Sequence, residues 1–179
     1  EANECFPAAA TYDKDGKKLL SWRVQLLPYL DEEKLYEQFQ LDEPWDSPHN
    51  RELIAKMPRM FACSSTAGLA QKGMTTYLAP VGEKTVFAGK QGTAIRDIGD
   101  GASNTIMLVE VPPEQAVAWT KPDDLQIDPD NPLHGLSGQH EGGFNVLFCD
   151  GHVQFMKKEN INPQKLRAMF TRHGGEPID

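Results

Sequence analysis

The segment Phe144-Asn145-Val146-Leu147-Phe148-Cys149-Asp150-Gly151-His152-Val153-Gln154-Phe155-Met156 constrains the fold most. Two β-prone runs flank Asp150-Gly151, a pair suited to the positive φ angles of a type I′ turn, whose twist matches antiparallel strands. A hairpin with a two-residue turn is therefore expected, and with it an antiparallel sheet. Thr105-Ile106-Met107-Leu108-Val109-Glu110-Val111 is the best buried strand, and Ala116 to Thr120 is expected to pair with it across Pro112-Pro113. Asn162-Pro163, a capping side chain followed by proline at the first helical position, opens a last short helix to about Arg172. Gly174-Gly175 closes it.

The first third reads differently. Residues 1–20, with Pro7 and the turn Asp13-Lys14-Asp15-Gly16, form an irregular lead-in. Ser21 then caps a helix over Trp22 to Leu27 that Pro28 ends or kinks. Asp31-Glu32-Glu33-Lys34 opens a second helix, with Leu30, Leu35, Tyr36 and Phe39 as its apolar face. Ser47-Pro48 opens a third, running to about Met57. Arg59 to Cys63, Thr75 to Val81 and Thr85 to Ala88 are short β-prone stretches between turns, and Lys121 to Ser137 is a long acidic, proline-containing loop. Helices followed by a largely antiparallel sheet and a short final helix make an α+β fold, with residues 1–179 as one domain.

Composition narrows the partners. A net charge of −8 and a pI near 5.1 argue against nucleic acid, which needs clustered Lys and Arg. No apolar run approaches a membrane span. The chain opens on Glu1 rather than Met, so it reads as processed or truncated, and the lack of a targeting signal says nothing about location. Cys5, Cys63 and Cys149 form no Cys-x-x-Cys. One disulfide with a free thiol, or three reduced thiols, are both open.

Several groups are candidates for chemistry. Asp123, Asp124, Asp128 and Asp130 crowd one loop and offer the oxygen ligands calcium takes, without the EF-hand spacing. His134, His140, His152 and His173 with Cys149 lack the spacings of a zinc site. Glu110 ends an apolar run and is a candidate buried acid for His140 or Arg96. His140 and Asp150 flank the first hairpin strand, where a turn role explains Asp150 without catalysis. Trp119, with Trp22, Trp45, Tyr29, Tyr36 and Tyr77, either lines a sugar-binding groove or packs the core. No nucleophile elbow, phosphate loop or dinucleotide fingerprint occurs.

His140, nine intervening residues and Asp150-Gly151 together resemble the C-terminal signature of a large planctomycete family of unknown function. That family carries a pilin-like cleavage and methylation segment and is often labelled type II secretion pseudopilin G-like. The resemblance extends over Phe6-Pro7-Ala8-Ala9, Leu20-Ser21-Trp22-Arg23-Val24, Leu26-Leu27-Pro28-Tyr29-Leu30 and Asp42-Glu43-Pro44-Trp45-Asp46-Ser47-Pro48. It continues through Asp100-Gly101-Ala102-Ser103-Asn104-Thr105, Trp119-Thr120-Lys121-Pro122 and Thr171-Arg172-His173-Gly174-Gly175-Glu176. It implies a pilin-like, extracytoplasmic domain held to the membrane by an N-terminal helix outside this chain, with pilin-like or other envelope proteins as partners. By analogy with pseudopilin G proteins it also implies calcium in the acidic loop.

The expected role is non-enzymatic: a pseudopilin-like envelope assembly protein tied to secretion or pili. A solute- or glycan-binding module built on the Trp119 to His140 loops is the second expectation. A hydrolase using His140, Asp150 and Glu110 is the third.

Overall fold

The structure, a computed structural model, describes residues 5–136 and 140–175; the first four residues of the lead-in, Ser137 and Glu176 lie outside them. The elements run β1 (Ala10–Tyr12), β2 (Lys18–Ser21), α1 (Trp22–Leu26), α2 (Glu33–Tyr36), α3 (Pro48–Glu52) and α4 (Ala67–Ala70). Then come β3 (Met74–Thr75), β4 (Tyr77–Leu78), β5 (Pro80–Val81), β6 (Ile106–Glu110), β7 (Val117–Ala118) and β8 (Leu125–Gln126). The chain closes with β9 (Gly143–Phe148), β10 (Val153–Lys157) and α5 (Pro163–Met169). The fold is mixed helix and mainly antiparallel sheet with a short C-terminal helix. Among the described residues no helix is long and apolar enough to cross a membrane.

Local capping explains where the helices start. Ser21 accepts from the Arg23 amide, Ser47 from the Asn50 amide, and Asn162 from the amides of Gln164 and Lys165. Each satisfies orphan donors of a first helical turn. Proline then limits how far a helix runs: α1 passes into a 3-10 turn over Leu27–Tyr29 at Pro28.

The lead-in is a correction to the sequence reading. It folds as the β1–β2 hairpin, with Asp13 accepting from the amides of Asp15 and Lys17 and Gly16 at φ 85°. That Asx turn, with glycine in the left-handed region, converts an apparently irregular stretch into paired strands. A second correction concerns β7, which pairs with β3 rather than β6. The four-stranded sheet instead has the order β10-β9-β6-β4, all antiparallel.

The Asp150-Gly151 hairpin is present with a different turn. The Phe148 amide donates to the His152 carbonyl at 2.9 Å and the Gly151 amide to the Phe148 carbonyl at 3.0 Å. Gly151 has φ 93°, whereas Asp150 is not in the positive region. The connection is thus a three-residue loop, a type I turn followed by a left-handed glycine, in place of the type I′ turn expected.

Strand alternation divides the sheet into two faces. Phe144, Val146 and Phe148 of β9 are buried on one, with Ile106 and Val109 of β6 and Leu166 and Phe170 from the α5 end. A separate core gathers Trp22, Trp119, Phe39, Phe61 and Phe87 with Leu20, Val24 and Leu27. Burying each such large apolar side chain contributes about 1.5–3 kcal/mol. Asn145 and Leu147 of β9 point to the opposite face, which is only partly covered. That face carries the site.

Candidate functional site

Register places the polar groups of the open sheet face side by side. Tyr77 of β4 stands opposite Glu110 of β6, and Leu108 opposite Leu147 of β9. Val153 and Phe155 of β10 pair with Leu147 and Asn145. Tyr77, Leu108, Glu110, Asn145, Leu147 and Val153 line a concave pocket of about 380 Å³, with Met60 also on its wall. Met60 and Val153 are among the most exposed large apolar side chains of the described residues.

Glu110 is the buried acid of this pocket, only 1% exposed. Its Oε2 accepts from Asn145 Nδ2 at 2.8 Å and lies 3.1 Å from His140 Nε2. Its Oε1 is buried with no hydrogen-bond partner among the described residues. An unpaired buried carboxyl oxygen is costly, so it marks a place where the fold leaves valence unspent.

His140 reaches Glu110 because the chain makes a tight bridge from His140 to Gly143 at the start of β9. Its ring meets Phe155 edge-on, with centroids 6.5 Å apart. A side chain at Gly143 would press to 2.2 Å from the Met156 carbonyl oxygen and 2.7 Å from the Phe155 ring, so this approach needs glycine.

Cys63 arrives from the helical side. The 3-10 turn Arg59–Phe61 buries Phe61 in the aromatic core and leaves Met60 at the pocket. Two residues later the chain buries Cys63. Burial, with Cys63 and Glu110 nearby, pushes the Tyr77 pKa up. One ligand atom each from Cys63, Glu110 and His140 lies within 4.8 Å of the other two. A sulfur, an oxygen and a nitrogen donor thus converge beside the pocket.

The remaining candidates go elsewhere. Asp150 accepts from the His152 amide at 3.1 Å and from His152 Nδ1 at 2.6 Å. Those bonds hold its carboxyl below the ordinary value. His140 and Asp150 sit at opposite ends of the six-residue β9, about 17 Å apart at the rise of a strand. The hydrolase constellation is therefore split: Glu110 meets His140, and Asp150 only shapes its turn with Gly151. Trp119 is fully buried, stacked on Phe61 at 5.8 Å and donating from Nε1 to the Ile54 carbonyl at 3.0 Å. It packs the core and lines no groove. Arg96, the other expected partner of Glu110, is exposed beside Asp97.

The acidic loop is held by a different pairing. Asp124 is buried against Arg23, with Arg23 Nη2 to Asp124 Oδ1 at 2.8 Å. It also accepts from Trp22 Nε1 at 3.1 Å and from the Ala79 amide at 2.9 Å. Burial pushes the Asp124 carboxyl up and the Arg23 guanidinium down, each opposed by the other's charge. Asp123 pairs with Lys121 at 2.8 Å, Asp128 accepts from the amides of Asp130 and Asn131, and Asp130 is exposed. No three of these four aspartates bring carboxyl oxygens within 4.8 Å of one another. Calcium at Asp124 would have to displace Arg23 and Trp22.

Of the three cysteines, Cys5 is exposed, Cys63 buried and Cys149 between. Burial, reinforced by Asp150, pushes the Cys149 thiol up to about 12. Sequence reasoning paired Glu110 with His140 but missed Cys63, and it placed Tyr77 among the aromatics rather than here. Asn145 had a readable signal: a lone amide alternating with Phe144 and Val146 in a buried strand needs a polar partner on the other face.

Comparison with known proteins adds a family. A family model described as a protein of unknown function (DUF1559), SBP_bac_10, matches residues 1–129 and, in a second stretch, 114–164. No curated protein and no solved structure matches the chain. The matched stretches together cover most of the chain, which belongs to the DUF1559 family of unknown function.

Proposed function

We propose that this domain is an extracytoplasmic binding module that takes a small solute in the pocket on the open face of the sheet. The pocket carries the reading: about 380 Å³ lies in the range of small-molecule sites, apolar walls with a few convergent polar groups. Leu108, Leu147 and Val153 form the walls, and Glu110, Asn145 and Tyr77 supply the polar end. The short name of the family model, SBP_bac_10, is a binding-protein label and agrees. The resemblance to pilin-like envelope proteins supports the extracytoplasmic address and envelope proteins as neighbours. The distance of Asp150 from Glu110 and His140 supports binding over the hydrolase reading that needed all three.

A thermal-shift screen of small solutes, run with and without added divalent ions, tests this. A solute at about 100 times its Kd contributes about 2.7 kcal/mol, which raises the midpoint of a domain this size by about 5–10 °C. Val153→Trp fills the mouth of the pocket from an exposed position and should abolish the shift. Failure of every solute to raise the midpoint in either buffer, or an undiminished shift in V153W, would overturn the proposal.

A further inference from the structure

We propose that Cys63, Glu110 and His140 form a binding site for a zinc-class divalent ion, with its fourth coordination position open to the pocket. The donor set selects the ion. Thiol sulfur, imidazole nitrogen and carboxyl oxygen together suit borderline-soft zinc, whereas calcium and magnesium take oxygen ligands throughout. A tetrahedral ion with bonds of about 2.0–2.3 Å sets its donors roughly 3.3–3.8 Å apart. The 3.1 Å between Glu110 Oε2 and His140 Nε2 is already near that spacing. The three donors lie within 4.8 Å of one another, so Cys63 needs a side-chain adjustment of only about 1 Å to complete the set.

A second observation points the same way. Glu110 Oε1 is buried and has no hydrogen-bond partner among the described residues, while Oε2 is held by Asn145. A cation that the carboxyl holds through both oxygens also satisfies the one that the fold leaves over. Part of the outer shell is also in place: Asn145 fixes the carboxyl, as the partners of metal ligands do. Three protein ligands with one open position describe an exchangeable site rather than a closed structural one. The open position then takes water or a lone-pair atom of a solute, such as a carboxylate or imidazole. That last point rests on the pocket reading; ion binding itself stands on the three side chains.

The test uses the reduced, chelator-stripped protein and cobalt(II) alone, with no solute, so its failure and that of the solute screen are distinguishable. One equivalent of cobalt should give a near-ultraviolet thiolate charge-transfer band that zinc abolishes and that excess calcium or magnesium leaves intact. Cys63→Ser should lose the band. His140→Gln, at a partly exposed position that should not disturb folding, should weaken binding by more than about 100-fold, and Asn145→Ala by about 10–100-fold. Absence of a thiolate band in the folded protein, or cobalt affinity in H140Q equal to the wild type, would overturn the site. Equal affinity would assign binding to histidines elsewhere.

Discussion

Two buried acids in this molecule meet cationic or titratable partners in opposite ways. Asp124 is closed: Arg23, Trp22 and the Ala79 amide together occupy both of its oxygens. Arg23 in turn donates to Ser21 Oγ and the Tyr77 carbonyl and lies 4.4 Å from the Trp22 ring centroid. Glu110 is open: one oxygen is held by Asn145 beside His140, and the other lacks a partner among the described residues at the wall of a pocket. Arg23 Nε is buried without a partner among the described residues, so the difference lies in the acids themselves. Both oxygens of Asp124 are occupied, whereas one of Glu110 is left over, and an unsatisfied buried acceptor costs stability. Asp124 ties α1 to the long acidic loop and to the chain between β4 and β5. On the proposal above, Glu110 contributes less to stability than Asp124 and holds an ion instead.

The contrast can be broken most forcefully at Asp124. Asp124→Ala strands a buried guanidinium and should cost about 3–5 kcal/mol, measured by equilibrium denaturation. Gly143→Ala comes next, because its Cβ would meet backbone at 2.2 Å. Overpacking of this kind costs about 1–3 kcal/mol, and the forced shift of β9 against β10 should also weaken cobalt binding by moving His140. Glu110→Gln, measured in chelator, should cost about 1 kcal/mol or less, since it only exchanges charge-assisted bonds for neutral ones. If E110Q were as damaging as D124A, the two acids would be alike and the contrast false.

The smallest effect belongs to Asp150. Its folded pKa is depressed, first by the His152 amide and then by the His152 ring. A depressed carboxyl stabilises the fold fully above the ordinary value of 3.8 and loses that contribution as pH falls through the folded value. Asp150→Asn should therefore flatten the acid limb of the stability profile slightly, with no change near neutrality. A profile unchanged by the substitution would remove Asp150 from the account of the turn.

What was legible in the sequence was local. The caps at Ser21, Ser47 and Asn162 are each set by a side chain within three residues of the amides it serves. The β9–β10 hairpin was legible for the same reason, although its turn type was not: Asp-Gly also serves a type I turn with a left-handed glycine. The β1–β2 hairpin escaped because its strands are three and four residues long, too short for alternation to show. Half of the site was legible. A carboxyl at the end of an apolar run needs a partner, and His140 was one of two proposed. Cys63 was invisible because its place beside Glu110 depends on how the helical half packs against the sheet, which no local pattern encodes. In the acidic loop the density of aspartates was legible, but the inward turn of Asp124 to Arg23 was not, because it too depends on packing between distant segments.

The most direct measurement is equilibrium unfolding of the reduced wild type and E110Q, each in chelator and in excess zinc. The account predicts that the two differ by about 1 kcal/mol or less in chelator and that zinc stabilises the wild type far more than E110Q. An equal zinc effect on both proteins, or collapse of E110Q in chelator, would show that Glu110 is a structural acid like Asp124 and would contradict the account.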